Sequence, residues 1–327
     1  MKQFQNILVG VDPSQSDPPG SDKFSPPAQE AVEAALWLAE KTKAALTFFS
    51  AIDAPQDSAY LDLIFDKPRD LLRSLTASVQ RQLDRLVERA GAKGVSAKAV
   101  VAQGVAWTET IRQVQENQHD LAIVGTRNLG GVERFLFGST AQKLLRSCPC
   151  AVWVTRPEHA IDVSNILVTS DLQPVSQKAL EAALALAPLL GAKVHFLHAI
   201  ALERIWLGIV DERQLEMYEQ RVHAEARKRL EEQVAGLSAT GTEIAIEVVE
   251  GDLGADLAIV RYIDEHQIDT LVMGTAGRGG LPGLLVGNTA ERMLHEAQCS
   301  LLAVKPDGFR APLPPELPGG KKTGPYL

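Results

Sequence analysis

Gly274-Thr-Ala-Gly277-Arg278-Gly-Gly-Leu-Pro-Gly-Leu-Leu-Val-Gly287-Asn288-Thr289 follows the apolar run 270–273 and precedes the helical pattern 290–295. A strand that runs into a glycine-rich loop and then a helix start presents unpaired backbone N–H groups to an anion. The same arrangement stands earlier, from Gly125-Thr-Arg127-Asn128 to Gly138-Ser139-Thr140. Gly125 and Gly274, Gly138 and Gly287, Cys150 and Cys299, and Pro157 and Pro306 all stand 149 residues apart, without a gap between them. The chain is a duplication.

Working outward from the first loop, residues 6–12, 44–50, 96–102, 120–124 and 151–155 read as short strands, the first ending on Asp12. Residues 27–43, about 67–90, 108–117 and 139–147 read as helices. In the longest of these, Leu72, Leu75, Val79, Leu83, Leu86 and Ala90 form one apolar stripe at steps of three and four. The second half repeats this order from residues 165–171, ending its first strand on Asp171. Strands that alternate with helices require a parallel sheet covered on both faces. The expected fold is α/β: two tandem open five-stranded parallel sheets with helices on both faces. Residues 1–157 and 163–306 are the expected domains, and the proline-rich stretch 307–327 a mobile tail.

Of the 327 residues 45% are hydrophobic and 23% charged, which is ordinary for a globular protein. The net charge of −8 lies wholly in the second half, because the first 159 residues carry 18 basic and 18 acidic side chains. A neutral half beside an acidic one lacks the basic footprint that nucleic acid requires. No apolar run approaches the roughly 20 residues of a membrane helix, so no membrane insertion is expected. Three cysteines, Cys148, Cys150 and Cys299, are too few for a disulfide framework, and the first residues lack a signal-peptide apolar core. A cytoplasmic location is the expectation.

In open α/β sheets ligands bind beyond the carboxyl ends of the strands, where strand order reverses. Asp12 and Asp171 stand there in each half, and the glycine loops follow the fourth strands. An aspartate so placed accepts hydrogen bonds from ribose hydroxyls while loop N–H groups take phosphates; alternatively, it caps or turns the chain. The pattern Gly-x2-Gly-x9-Gly-(Ser/Thr), with Ile-Leu-Val-x-x-Asp opening each half, resembles the adenine-nucleotide signature of the universal stress protein family, most closely its tandem E-type bacterial members. The resemblance implies an adenine nucleotide alpha hydrolase-like sheet in order 3-2-1-4-5 within each half. It also implies pairing of the last strands, 151–155 with 300–304, and a role in stress survival. The pairing covers two exposed edges, and a homodimer is a further possibility.

Carried onto this chain, neither copy of the signature is complete. The first has Gly125, Gly138, Ser139 and Thr140, but Asn128 stands where the second glycine belongs. The second has Gly274, Gly277 and Gly287, but Asn288 replaces the hydroxyl residue and Thr289 follows it. Since an asparagine amide donates to phosphate, the second half is the favoured ligand loop. Arg127 and Arg278 lie where a polyphosphate passes, or are solvated surface arginines. The resemblance points to ATP with Mg2+ in at least one domain, with no cofactor obligatory. No general base is placed to activate water, so a dedicated enzyme is not expected, although slow hydrolysis stays open. The rival reading is a scaffold, or a holder of a small apolar ligand under the long helices, with relic loops. His195 and His198 stand three apart on a strand and so face opposite sides, against a shared metal. Cys148-Pro149-Cys150 lacks the C-x-x-C spacing of thioredoxin-like motifs, and apolar packing or a redox switch are its two readings.

Overall fold

The computed structural model describes residues 4–12, 24–53, 68–126, 138–156, 161–200, 211–237, 241–251, 254–275, 289, 292–293 and 296–313. The first half runs β1 (Asn6–Gly10), α1 (Pro26–Thr42), β2 (Ala45–Ile52), α2 (Pro68–Ala92), β3 (Ala97–Gln103), α3 (Ala106–Asn117), β4 (Leu121–Gly125), α4 (Ser139–Ser147) and β5 (Ala151–Thr155). The second runs β6 (Asn165–Thr169), α5 (Pro174–Leu190), β7 (Lys193–Ile200), α6 (Glu212–Ala235), β8 (Ile244–Glu250), α7 (Ala255–Glu265), β9 (Thr270–Gly274) and β10 (Ser300–Val304). All ten strands form one sheet, in order β3-β2-β1-β4-β5-β10-β9-β6-β7-β8.

Each half thus has the order 3-2-1-4-5, and every pairing within a half is parallel. The two five-stranded sheets are not separate, because the expected pairing of the last strands makes them one. β5 and β10 pair antiparallel, Val152 opposite Ala303, Trp153 opposite Leu302 and Val154 opposite Leu301. An unpaired edge strand carries a row of unsatisfied N–H and C=O groups, and each half supplies the other's partner. The join is buried, and Trp153 is among the largest fully buried side chains.

Alternation along the strands divides the core into two layers. Ile7 and Val9 of β1 face α1 and α2, and Ile166 and Val168 of β6 face α5 and α6. Leu8 and Leu167 point the other way, toward a layer built by α3, α4, α7 and Met293. The stripe on α2 buries Val79, Leu83, Leu86 and Ala90, while Leu75 nearer its start is 46% exposed. α1 and α5 both begin with proline in the first turn, where the missing N–H costs no hydrogen bond. They end in left-handed residues, Lys43 and Gly191.

The stretch after β10 also differs from expectation. Residues 307–313 are not a loose tail: Asp307 pairs with Lys178, and Ala311 and Leu313 pack against the second core layer. Two apolar side chains and one ion pair hold this stretch to the body. Residues 314–327 lie outside the described residues.

Candidate functional site

A cavity of about 640 Å³ opens beyond the carboxyl ends of β1, β2 and β4, in the first half. β1 and β4 are neighbours, while the chain leaves β1 toward α1 and β4 toward α4, so the strand order reverses between them. Asp12, Gly125, Gly138, Ser139 and Thr140 all line this cavity. Gly138 is the N-cap of α4 in extended geometry, with no side-chain cap bond. The first N–H groups of a helix have no acceptor within it, and those of α4 stand at the cavity wall. Arg127 and Asn128 lie outside the described residues.

Thr126, directly after Gly125, is 8% exposed and its hydroxyl has no hydrogen-bond partner. Its N–H donates to the carbonyl of Thr155 at 3.2 Å. At the matching place in the second half, the Thr275 hydroxyl donates to the Val304 carbonyl at 3.4 Å. One threonine is satisfied by protein, and the other is buried at the wall of the cavity with its hydroxyl unpartnered. A buried hydroxyl without a partner costs about 1–3 kcal/mol, which a ligand oxygen or nitrogen would relieve.

The remaining wall is mixed. Ser50, Gln82 and Thr110 are buried polar side chains along it, and Phe49, Ile52, Leu75 and Val79 supply apolar surface under α2. The motif reading missed Thr126, Ser50, Gln82 and Thr110. For Gln82 a signal existed: it interrupts the inward stripe between Val79 and Leu83. For Ser50 and Thr110 there was none, because their approach to one cavity depends on β2 and α3 meeting in space.

The second half treats its matching residues differently. Asp171 accepts from the Ser176 hydroxyl at 2.6 Å and from the Gln173 N–H at 3.0 Å, and its own N–H donates to Ser176 Oγ at 3.1 Å. That is a closed turn leading into α5, the capping alternative for this residue. Gly274 ends β9, and Thr289 is described beyond the loop, whereas Gly277, Arg278, Gly287 and Asn288 lie outside the described residues. The cavity described above is that of the half with Asn128, and most of the loop that the motif favoured lies outside the described residues.

Two glycines of the motif have a packing reason. A Cβ on Gly125 would lie 2.3 Å from the carbonyl oxygen of Pro27, and one on Gly274 would lie 2.7 Å from the methyl groups of Val175. In both halves the first turn of the helix after the first strand, α1 or α5, rests on the end of the fourth strand.

Other candidates resolve into local structure. His195 Nδ1 meets the Tyr262 hydroxyl at 2.9 Å, and His198 Nδ1 contacts the Ser170 carbonyl at 2.7 Å. Burial lowers the His195 pKa and pushes Tyr262 up to about 12. Among the described residues no group of three or more His, Cys, Asp or Glu side chains is placed to hold a metal ion, and no helix is long and apolar enough to cross a membrane.

With this geometry in place, the comparisons with known proteins are direct. The model of the universal stress protein family matches residues 3–156 and again 163–305. Universal stress protein E of Salmonella typhi is 25% identical over 332 residues, covering 96% of this chain and 98% of that protein. The Escherichia coli K12 protein of the same name is 24% identical, with the same coverage. Among solved structures, a putative universal stress protein of Pseudomonas aeruginosa UCBPP-PA14 superposes with a TM-score of 0.66 at 22% identity, covering 94% of this chain and 95% of that one. One from Archaeoglobus fulgidus DSM 4304 superposes at 0.57 and 17% identity, covering 93% and 99%. The chain belongs to the universal stress protein family and carries its domain twice in tandem.

Proposed function

We propose that this protein is a stress-response regulatory module that binds an adenine nucleotide, ATP in the first instance, in the cavity of its first half. The observation that carries the reading is a cavity that gathers Asp12 and the start of α4, with the unpartnered Thr126 hydroxyl buried at its wall. A nucleotide fits this chemistry. Asp12 would accept from ribose hydroxyls, the N–H groups of α4 would take phosphate, and Ser50, Gln82 and Thr110 would meet the polar edge of the base. A volume near 640 Å³ lies in the range of small-molecule sites. Mg2+ would arrive with the phosphates, since it commonly uses one carboxylate, hydroxyl or water oxygens and the phosphates themselves. The reading is of a binding module and not an enzyme.

Titration calorimetry of the intact chain with ATP and Mg2+ tests this. A saturable site is expected, weakened about tenfold or more by Ser139→Asp, which places a negative charge against phosphate while suiting the helix start. Gly277→Val, in the other half, should leave it unchanged. No heat above dilution for the intact chain would end the proposal.

One observation favours a second reading, a small apolar ligand. Phe49, Ile52, Leu75 and Val79 line the same cavity. Mass spectrometry of molecules carried through purification separates the two, because it does not presuppose a nucleotide.

A further inference from the structure

Cys148 and Cys150 stand with their sulfurs 3.5 Å apart at the end of α4 opposite the cavity. Cys148 is the C-cap of that helix and fully buried, while Cys150 is partly exposed and also donates to the Ala151 carbonyl at 3.3 Å. Lys305, from the second half, brings a cation to the same place. Its ammonium donates to the carbonyls of Leu145 and Arg146, the last turn of α4.

The duplication supplies an internal comparison. Position 299 in the second half matches Cys150 and is also cysteine, but position 297, which matches Cys148, is alanine. Ala297 and Cys148 are both buried in the same core layer. Packing at this place is therefore satisfied without a sulfur, and the first half holds a second thiol that packing does not explain. The hydrogen bond shared with Cys150 lowers the Cys148 pKa against the cost of burial, and the Lys305 charge adds to the lowering, while the same shared bond raises that of Cys150. Of the two thiols, Cys148 is the one that ionises more readily. The single thiol of Cys299 is pushed up to about 12 by burial.

We propose that Cys148 and Cys150 form a peroxide-sensitive dithiol that closes reversibly to an intramolecular disulfide. The Cys148 thiolate attacks one oxygen of hydrogen peroxide. An S–O bond forms, the O–O bond breaks, and hydroxide leaves as water after taking a proton. The Cys150 sulfur, once deprotonated, then attacks the sulfenic sulfur. The S–S bond forms, the S–O bond breaks, and the second hydroxide leaves as water. Two thiols and one peroxide give one disulfide and two waters, the sulfurs losing the two electrons that the O–O bond gains. A bridge between residues two apart is strained, and strained disulfides are the readily reduced ones, so a small dithiol reverses the reaction. Peroxide enters from the side of Cys150, the less buried member of the pair.

The test is intact-mass and peptide mass spectrometry of the full chain after stoichiometric hydrogen peroxide. Loss of two hydrogens is expected, mapped to the peptide with Cys148 and Cys150 and restored by dithiothreitol. Cys299→Ser should retain this change. Cys148→Ala, the residue the second half already uses, should abolish it with the fold intact by circular dichroism. Lys305→Gln should slow it. Oxygen addition in place of hydrogen loss, a bridge to Cys299, or no reaction under conditions that oxidise a free thiol would each overturn the proposal. The wild-type map decides even if a variant fails to fold.

Discussion

Gly125 lies under Pro27 so closely that a single added methyl group would stand 2.3 Å from the Pro27 carbonyl oxygen. Backbone of α1 presses on backbone of β4, and neither has a flexible end to move aside. The matching Gly274 faces only the methyl groups of Val175, at 2.7 Å. Gly125→Ala should therefore cost about 1–3 kcal/mol by forced backbone movement. Gly274→Ala should cost less, because a valine side chain yields more readily than a carbonyl. Urea unfolding midpoints of the two variants check this, and equal losses would contradict it.

Thr126→Val removes an unpartnered hydroxyl and keeps the side-chain shape. Melting of the ligand-free variant should be unchanged or higher, by about 0–1 kcal/mol. The affinity for ATP should fall by calorimetry, since this is the unpartnered hydroxyl at the cavity wall. A destabilised ligand-free variant would mean that the hydroxyl already has a partner.

Asp12 and Asp171 should separate by substitution. Asp171→Ala breaks bonds to Ser176 and Gln173 and should cost about 1 kcal/mol without changing nucleotide affinity. Asp12→Ala, at an exposed position lining the cavity, should weaken nucleotide binding more than it lowers stability. Thermal melts and titrations of the two variants read both effects.

Lys305 makes stability depend on alkaline pH. Burial pushes its ammonium down to about 8 from 10.5, against the raising effect of the nearby thiols. Below pH 8 the folded and unfolded chains both carry the charge, and the folded chain bears the cost of burying it. Between about 8 and 10.5 the folded chain is neutral there while the unfolded chain still binds the proton, so the Lys305 contribution to stability rises across that window. Relative to Lys305→Met, the wild-type urea midpoint should climb between pH 8 and 10, by about 1–3 kcal/mol at most. A flat difference would show that the bonds to Leu145 and Arg146 keep the amine charged.

Much of the fold is legible because its signals are local or repeated. The apolar runs at residues 7–9 and 121–124 are short, continuous and bounded by polar residues, which is how strands buried on both faces read. The stripe from Leu72 to Ala90 has only one periodicity. The match of Gly125 with Gly274 and of Cys150 with Cys299 establishes the duplication without any coordinates. The resemblance carried by the glycine pattern supplied strand order and the pairing of the last strands. The site was less legible. Thr126 and Thr275 occupy the same place in the motif, yet one hydroxyl meets Val304 and the other meets no protein group. No spacing rule distinguishes them.

By itself, then, the amino-acid order determined a twofold α/β chain, its helices and strands, and the two loops at which an anion would be sought. Those properties follow from periodicity and from glycine placement, which act over a few residues. Only the tertiary structure decided that the last strands pair antiparallel, with Trp153 opposite Leu302. It also decided that Asp171 is tied into a turn while Asp12 lines a cavity, and that Lys305 reaches the end of α4. Each of these depends on groups far apart in the chain meeting in space. Hydrogen-bond partners and desolvation are set by that meeting and leave no mark in local sequence.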